Sequence, residues 1–417
     1  MPAPLIFRLL NLAPDKFLPI PMPKVFFFTG LVLASSLLRA ADSATMSRSD
    51  IERSPDGARP GVAWFAKVAD GPLLFTEQIF PRTASADAAT QVNEVIEGLA
   101  TLLGRAGGDL RRVARLHFYV ADDAMTPAVY ATLATRFRDA PPAVTIVRSV
   151  LGREGVRVSC DAVAAITRAG TGIEKIGTAA VLPAGGKAFI SGQAKRGKDF
   201  ADSVTQTMDA LHASLPQIGV SKADVVQVKA FINPMSSHAA ARAAIEKTYS
   251  GGPVPAIVIT EWLASAPTEI ELITAAPKAE ARNGDPIQFH WISGMAVSPY
   301  FSRMTTVAAG SPLVFIGNID GGDTAPRDQW LRAFQTLSGV LRDCGSSFRH
   351  MAKATYFLAD PKAREFLGEV RNVFYDPARP PAASAVDVQS IGVPRRGVGV
   401  DMIVVPTKRA PAPAAPK

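Results

Sequence analysis

Apolar residues along this chain recur with two periods, and the order in which the periods alternate is the same three times over. The middle stretch is the clearest. Lys187-Ala188-Phe189-Ile190-Ser191-Gly192-Gln193 is an apolar strand that ends in a polar turn. Val204, Met208, Leu211 and Leu215 follow at the i, i+4, i+7, i+11 spacing of an amphipathic helix, and Gly219 stops it, as a residue tolerant of positive φ should. Val225–Ile232 predicts a second strand, 237–248 a second helix, and 255–261 with 269–275 the strands that finish the sheet.

The first third repeats this order with a strand over 73–78, a helix carrying Val92, Ile96, Leu99 and Leu103, and a strand over Val113–Val120. The last third does so with 313–318, a helix carrying Leu331, Phe334, Leu337 and Leu341, and Met351–Leu358. Strand, helix, strand, helix, strand, strand is an α+β pattern in which two helices cover one face of a mixed or mostly antiparallel sheet. The strands are apolar along most of their length, so the other face must be buried as well.

Landmarks keep the step between copies. Ala143, Ala256 and Ala382 each follow a proline at the start of a late strand, and Gly107, Gly219 and Gly345 each close the first helix. Units of about 110 residues are too long for solenoid repeats and suit small domains. The boundaries read as 60–168, 172–277 and 285–407, with 45–59 a polar linker and 408–417 a disordered tail rich in Pro and Ala.

Charge changes the picture little. The chain has 417 residues and a formal charge of +8, but 1–44 holds a net +2 and the tail a net +3, which leaves +3 on the body. No aromatic-basic stripe accompanies it, so nucleic acid is not an expected partner. Val25 to Leu38 is an apolar run of signal-peptide length after Lys24, with Met22 the more natural start, and it predicts export to a periplasmic or extracellular space. The run is short for a membrane span, and neither a membrane nor a lipid anchor is expected. Cys160 and Cys344 stand in different units and make no disulfide framework.

Candidate chemistry is sparse. The five histidines (His117, His212, His238, His290 and His350) fall singly, without metal spacing, and no CxxC, HExxH, P-loop or nucleophile elbow occurs, so neither metal nor cofactor is expected. Gly185-Gly186 and Gly321-Gly322 read as hairpin turns. One feature recurs with the units: after each Pro-Ala strand comes a carboxylate, Asp161, Glu271 or Asp401, in or beside a β-branched run. Such a carboxylate either contacts a ligand or is solvated or paired with a neighbouring base.

The order of a strand ending Ser191-Gly192-Gln193, a helix, Gly219, a Val-rich strand, a helix, a Pro255-Ala256 strand and Ile270-Glu271-Leu272-Ile273 resembles the RidA family, also called YjgF or L-PSP, of imine/enamine deaminases. The resemblance spans about 60–406, three times over. It implies a chorismate-mutase-like fold for each unit, and a trimer with sheets inward and helices outward. One chain would here supply all three positions as a monomeric pseudo-trimer.

The resemblance also implies a cleft between neighbouring units. There an arginine directly after Pro-Ala grips a substrate carboxylate and an acid of the last strand positions water. The arginine position holds Val144, Ile257 and Ala383, whereas the acid position keeps Asp161, Glu271 and Asp401. Losing one charge-assisted contact weakens carboxylate binding by at least about one to two decades. The expected ligand is therefore a small neutral imine, enamine or carbonyl compound, bound and slowly hydrolysed beside Gly192 and Gln193, with the three acids orienting water. Two alternatives stand beside this expectation. Arg148, four residues beyond the missing arginine on the same strand face, restores deaminase activity; or the units are degenerate and serve a structural or interaction role.

Overall fold

The computed structural model describes residues 51–407 apart from 56, 169, 171 and 293–295. The expected export signal and the 408–417 tail lie outside the described residues. In chain order the strands and helices are β1 (Ile51–Arg53), β2 (Gly57–Arg59), β3 (Val62–Ala63), β4 (Phe65–Val68), β5 (Leu73–Thr76), α1 (Ala88–Arg105), β6 (Val113–Val120), α2 (Thr126–Arg136), β7 (Ala143–Arg148) and β8 (Val158–Ala165). They continue with β9 (Glu174–Ile176), β10 (Ala179–Leu182), β11 (Lys187–Gln193), α3 (Phe200–Ser214), β12 (Val225–Ile232), α4 (His238–Thr248), β13 (Ala256–Glu261) and β14 (Thr268–Ala275). The last are β15 (Ile287–His290), β16 (Met304–Val307), β17 (Leu313–Asp320), α5 (Pro326–Asp343), β18 (Met351–Leu358), α6 (Ala363–Phe374), β19 (Ala382–Asp387) and β20 (Val398–Val404).

The expected α+β order is present in all three units, and the apolar helix positions are buried, except that Leu331 is only half-buried because Trp330 takes the core position beside it. Gly107, Gly219 and Gly345 have φ of 75°, 68° and 76°, so each helix turns into the next strand through a left-handed residue, as their spacing predicted.

Three mixed sheets result, ordered β2-β3-β7-β6-β8-β5-β10-β9, β13-β12-β14-β11-β16-β15 and β1-β4-β17-β20-β18-β19. Each has a parallel pair at the Pro-Ala strand (β6 with β7, β12 with β13, β18 with β19) beside an antiparallel ladder to the last strand of the unit, and in the first sheet β3 also runs parallel to β7.

None of the sheets is made by one sequence unit alone. The β9–β10 hairpin opens unit two but extends the sheet of unit one, β10 pairing with β5. In the same way β15 and β16 extend unit two through β11, and β1 and β4 at the start of the described chain extend unit three through β17. Two sequence expectations change as a consequence. Part of 45–59 is not a linker, since β1 and β2 lie within it and Ile51 packs on apolar side chains between the sheets. Gly185-Gly186 and Gly321-Gly322 do not close hairpins: the first carries the chain from β10 in one sheet to β11 in another, and the second leads from β17 into α5.

Side chains alternate between two buried faces. Leu116, Phe118 and Val120 of β6, Val228, Ala230 and Ile232 of β12, and Ala354, Tyr356 and Leu358 of β18 join the cores beneath the helices. Phe75, Phe189 and Phe315 belong to a shared apolar cluster between the three sheets, and Tyr119, Phe231 and Phe357 to a second one. Strands buried on both faces lose the usual apolar-polar alternation, which is why they read as continuous apolar runs.

Candidate functional site

Where the three sheets meet, the inward positions of β6, β12 and β18 carry Arg115, His117 and Tyr119; Gln227, Lys229 and Phe231; and Lys353, Thr355 and Phe357. Register makes these triplets equivalent. His117 stands opposite Asp161, Lys229 opposite Glu271, and Thr355 opposite Asp401. The three acids singled out in the sequence are thus equivalent in space. They are buried, at 0, 4 and 3 % exposure, in a polar layer between the two apolar clusters.

Each acid is met by side chains of the next unit. Asp161 Oδ2 lies 3.3 Å from Lys229 Nζ and accepts a 2.6 Å hydrogen bond from the hydroxyl of its own unit's Tyr119. Glu271 Oε1 lies 2.9 Å from Lys353 Nζ, and its Oε2 accepts from Ser384 Oγ at 2.7 Å. Asp401 Oδ2 lies 2.9 Å from His117 Nε2, off the ring N–H direction, and accepts from Thr145 Oγ1 at 3.3 Å. Lys229 Nζ also approaches His117 Nδ1 to 2.8 Å.

The electrostatics follow from this layout. Burial by itself raises a carboxyl's pKa, but Lys229, His117 and Arg115 outweigh it at Asp161, and His117, Arg115 and Lys353 do so at Asp401. Both are held well below the usual carboxylate range. Burial and the adjacent Asp161 push the Tyr119 phenol well up. Glu269, two residues before Glu271 on the same face, behaves oppositely. Burial and the repulsion of Glu271 raise it to about 7, against the pull of Ser384, Arg364 and Lys353.

The other expected site residues are not gathered with the acids. Val144 and Ile257 lie in the helix-side cores of their own units, and Ala383 packs half-buried on a third. They therefore point away from the inward face that holds the acids. Arg148 follows Thr145 by three positions, an odd offset, and donates to the Ala121 carbonyl at 3.3 Å; it makes no contact with Asp161, Glu271 or Asp401. Gly192 lies beneath Glu269, and a Cβ there would stand 2.0 Å from the carboxylate. Gln193 is buried with its amide nitrogen unpartnered.

The seams between units are closed by direct contact. Ser191 Oγ accepts from the Ala383 amide at 2.7 Å and donates to the Ser302 carbonyl, and Gln78 Oε1 accepts from the Ile259 amide at 3.2 Å. At the third seam a Cβ on Gly317 would sit 2.7 Å from the Val144 backbone. The cavity beside His117, Lys229 and Tyr119 measures about 10 Å³, room for about one water.

His117, Lys229 and Lys353 were missed in the sequence. Their signal is an ionisable or imidazole side chain inside a strand that is otherwise apolar on both faces, where it needs a buried partner.

Residues 178–276 and 302–405 match the family model described as Endoribonuclease L-PSP. These two segments place the second and third units with the RidA (YjgF, L-PSP) family. The first unit, outside them, has the same order of strands and helices. Among solved structures, the chain is similar to a Rid-family protein of unknown function from Yersinia pestis (18 % identity, 29 % of this chain and 100 % of that one, TM-score 0.26). It is also similar to a YjgF-family protein of Neisseria meningitidis (17 %, 30 % and 97 %, TM-score 0.23) and to one of Mycobacterium tuberculosis (25 %, 25 % and 87 %, TM-score 0.22). No curated protein matches the chain.

Proposed function

We propose that this chain is a single-chain counterpart of a RidA-like trimer whose inter-unit clefts have become structural seams, and that it acts as a non-catalytic binding or interaction body. One observation carries the reading: every acid at the family's water-orienting position is buried against a base or hydroxyls of the next unit. Asp161 and Asp401, held well below the usual carboxylate range, are poor general bases because they keep little affinity for a proton. The chain is then a monomer, and light scattering should give the mass of one copy. Exported protein should appear in the periplasmic or extracellular fraction of cells that express the full chain.

The test is hydrolysis of imino acids generated in situ by an amino-acid oxidase. The reading expects no acceleration by the wild-type chain, nor by Ile257→Arg, since position 257 faces a helix-side core. Catalysis by the wild type would overturn it.

A second reading is slow hydrolysis of a small neutral imine or carbonyl compound at the seam of units two and three. It is favoured by Glu269, a carboxyl titrating at about 7 beside Gly192 and the unpartnered Gln193 amide. A neutral imine should then be hydrolysed with a pH profile that breaks near 7 and disappears in Glu269→Gln.

A further inference from the structure

The first unit carries a groove that none of the preceding chemistry uses. Its walls are the loop after β5, the last turns of α1, the loop after β7 and the β9–β10 turn that enters from unit two. It encloses about 430 Å³, within the range of small-molecule sites. Ile79, Phe80 and Leu102 give it an apolar floor, and Arg82, Arg105 and Arg153 line it.

The arginines are not equally engaged. Arg82 pairs with Glu97 at 3.2 Å. Arg153 lies over the Phe80 ring, 4.0 Å from its centroid, and neither it nor Arg105 has an acidic partner among the described residues. A guanidinium stacked on a ring is held in place while its N–H edge stays free to donate. Arg105 closes α1, two residues before the helix-ending Gly107. The corresponding positions before Gly219 and Gly345 hold Gln217 and Asp343, so an arginine at this place belongs to unit one alone.

We propose that this groove binds a small organic anion, with a carboxylate held between Arg105 and Arg153 and a planar apolar body on Ile79, Phe80 and Leu102. Two cationic side chains with no acidic partner among the described residues supply the anion preference, and the floor supplies the preference for an apolar body. None of Asp161, Glu271 and Asp401 lines the groove, so the proposal holds whether or not imines are hydrolysed.

The experiment is ligand-observed NMR or calorimetry on the full chain, with benzoate as probe and benzamide as its neutral counterpart. Benzoate should bind with a dissociation constant on the order of 1–10 mM and weaken as salt is added. Benzamide should bind at least about fivefold more weakly, and Arg105→Gln and Arg153→Gln should each weaken benzoate by about fivefold or more. Both arginines are exposed, so the variants should keep the wild-type circular dichroism and melting temperature. Absence of benzoate binding, equal binding of benzamide, or benzoate binding unchanged in both variants would overturn the proposal.

Discussion

Two parts of the polar layer solve the same problem differently. Asp161 and Asp401 are served by one connected group, in which His117 lies between Lys229 and Asp401 and Lys229 also reaches Asp161. Glu271 is served separately by Lys353 and Ser384, and the further carboxyl of Glu269 crowds it from the same face. Equivalent backbone positions therefore hold a shared network on one side and, on the other, a separate ion pair with an unneutralised neighbour. Threefold equivalence of the backbone does not impose threefold equivalence of charge. The side chains had only to leave no buried acid without a partner.

Removing a base should show the difference most strongly. Lys353→Met strips Glu271 of the one ion-pair partner it has among the described residues and should cost about 3–5 kcal/mol in urea unfolding. Replacing the pair together, Glu271→Leu with Lys353→Met, should recover most of that loss, because an apolar pair of similar size avoids the desolvation penalty. A double variant as unstable as the single one would mean that Glu271 has a role beyond pairing.

His117→Leu should cost less, about 2–3 kcal/mol, since Thr145 still donates to Asp401 and Lys229 still faces Asp161. A loss as large as that of Lys353→Met would show that the histidine is the sole support of the network.

Glu269→Gln should act in the opposite direction. A carboxyl whose folded pKa lies above its unfolded value loses stabilising effect as pH rises from about 4.5 to 7. The variant should therefore be more stable than the wild type at pH 8, by up to about 2 kcal/mol, and equal to it near pH 4. Equal stability at both would place Glu269 in a fully solvated setting.

Asp161 and Asp401 give the complementary acid limb. Both have folded pKa values below the unfolded ones, so their contribution is complete above about pH 4 and is lost as pH falls further toward the folded values. Asp161→Asn should flatten that limb while leaving the Glu269 effect above pH 5 unchanged, which separates the two regions by titration alone.

The sequence by itself determined the unit order, the helix faces, the three glycine turns and the correspondence of Asp161, Glu271 and Asp401. These are local or periodic properties: a helical repeat, a left-handed residue after a helix and a fixed step between copies are all written along one dimension. It could also have flagged His117, Lys229 and Lys353 as ionisable groups in doubly buried strands, but not their partners.

Only the tertiary structure decided that Asp401 meets His117, that Glu271 meets Lys353, and that Val144 and Ile257 face away from the acids. Those contacts join residues of different units, far apart in sequence, while a strand exchange sends the opening strands of each unit to another unit's sheet. Strand propensity is blind to which neighbour a strand joins, because the ladder's hydrogen bonds are the same with either. The choice falls to the long-range burial of both sheet faces, and with it the identity of every charge partner in the polar layer.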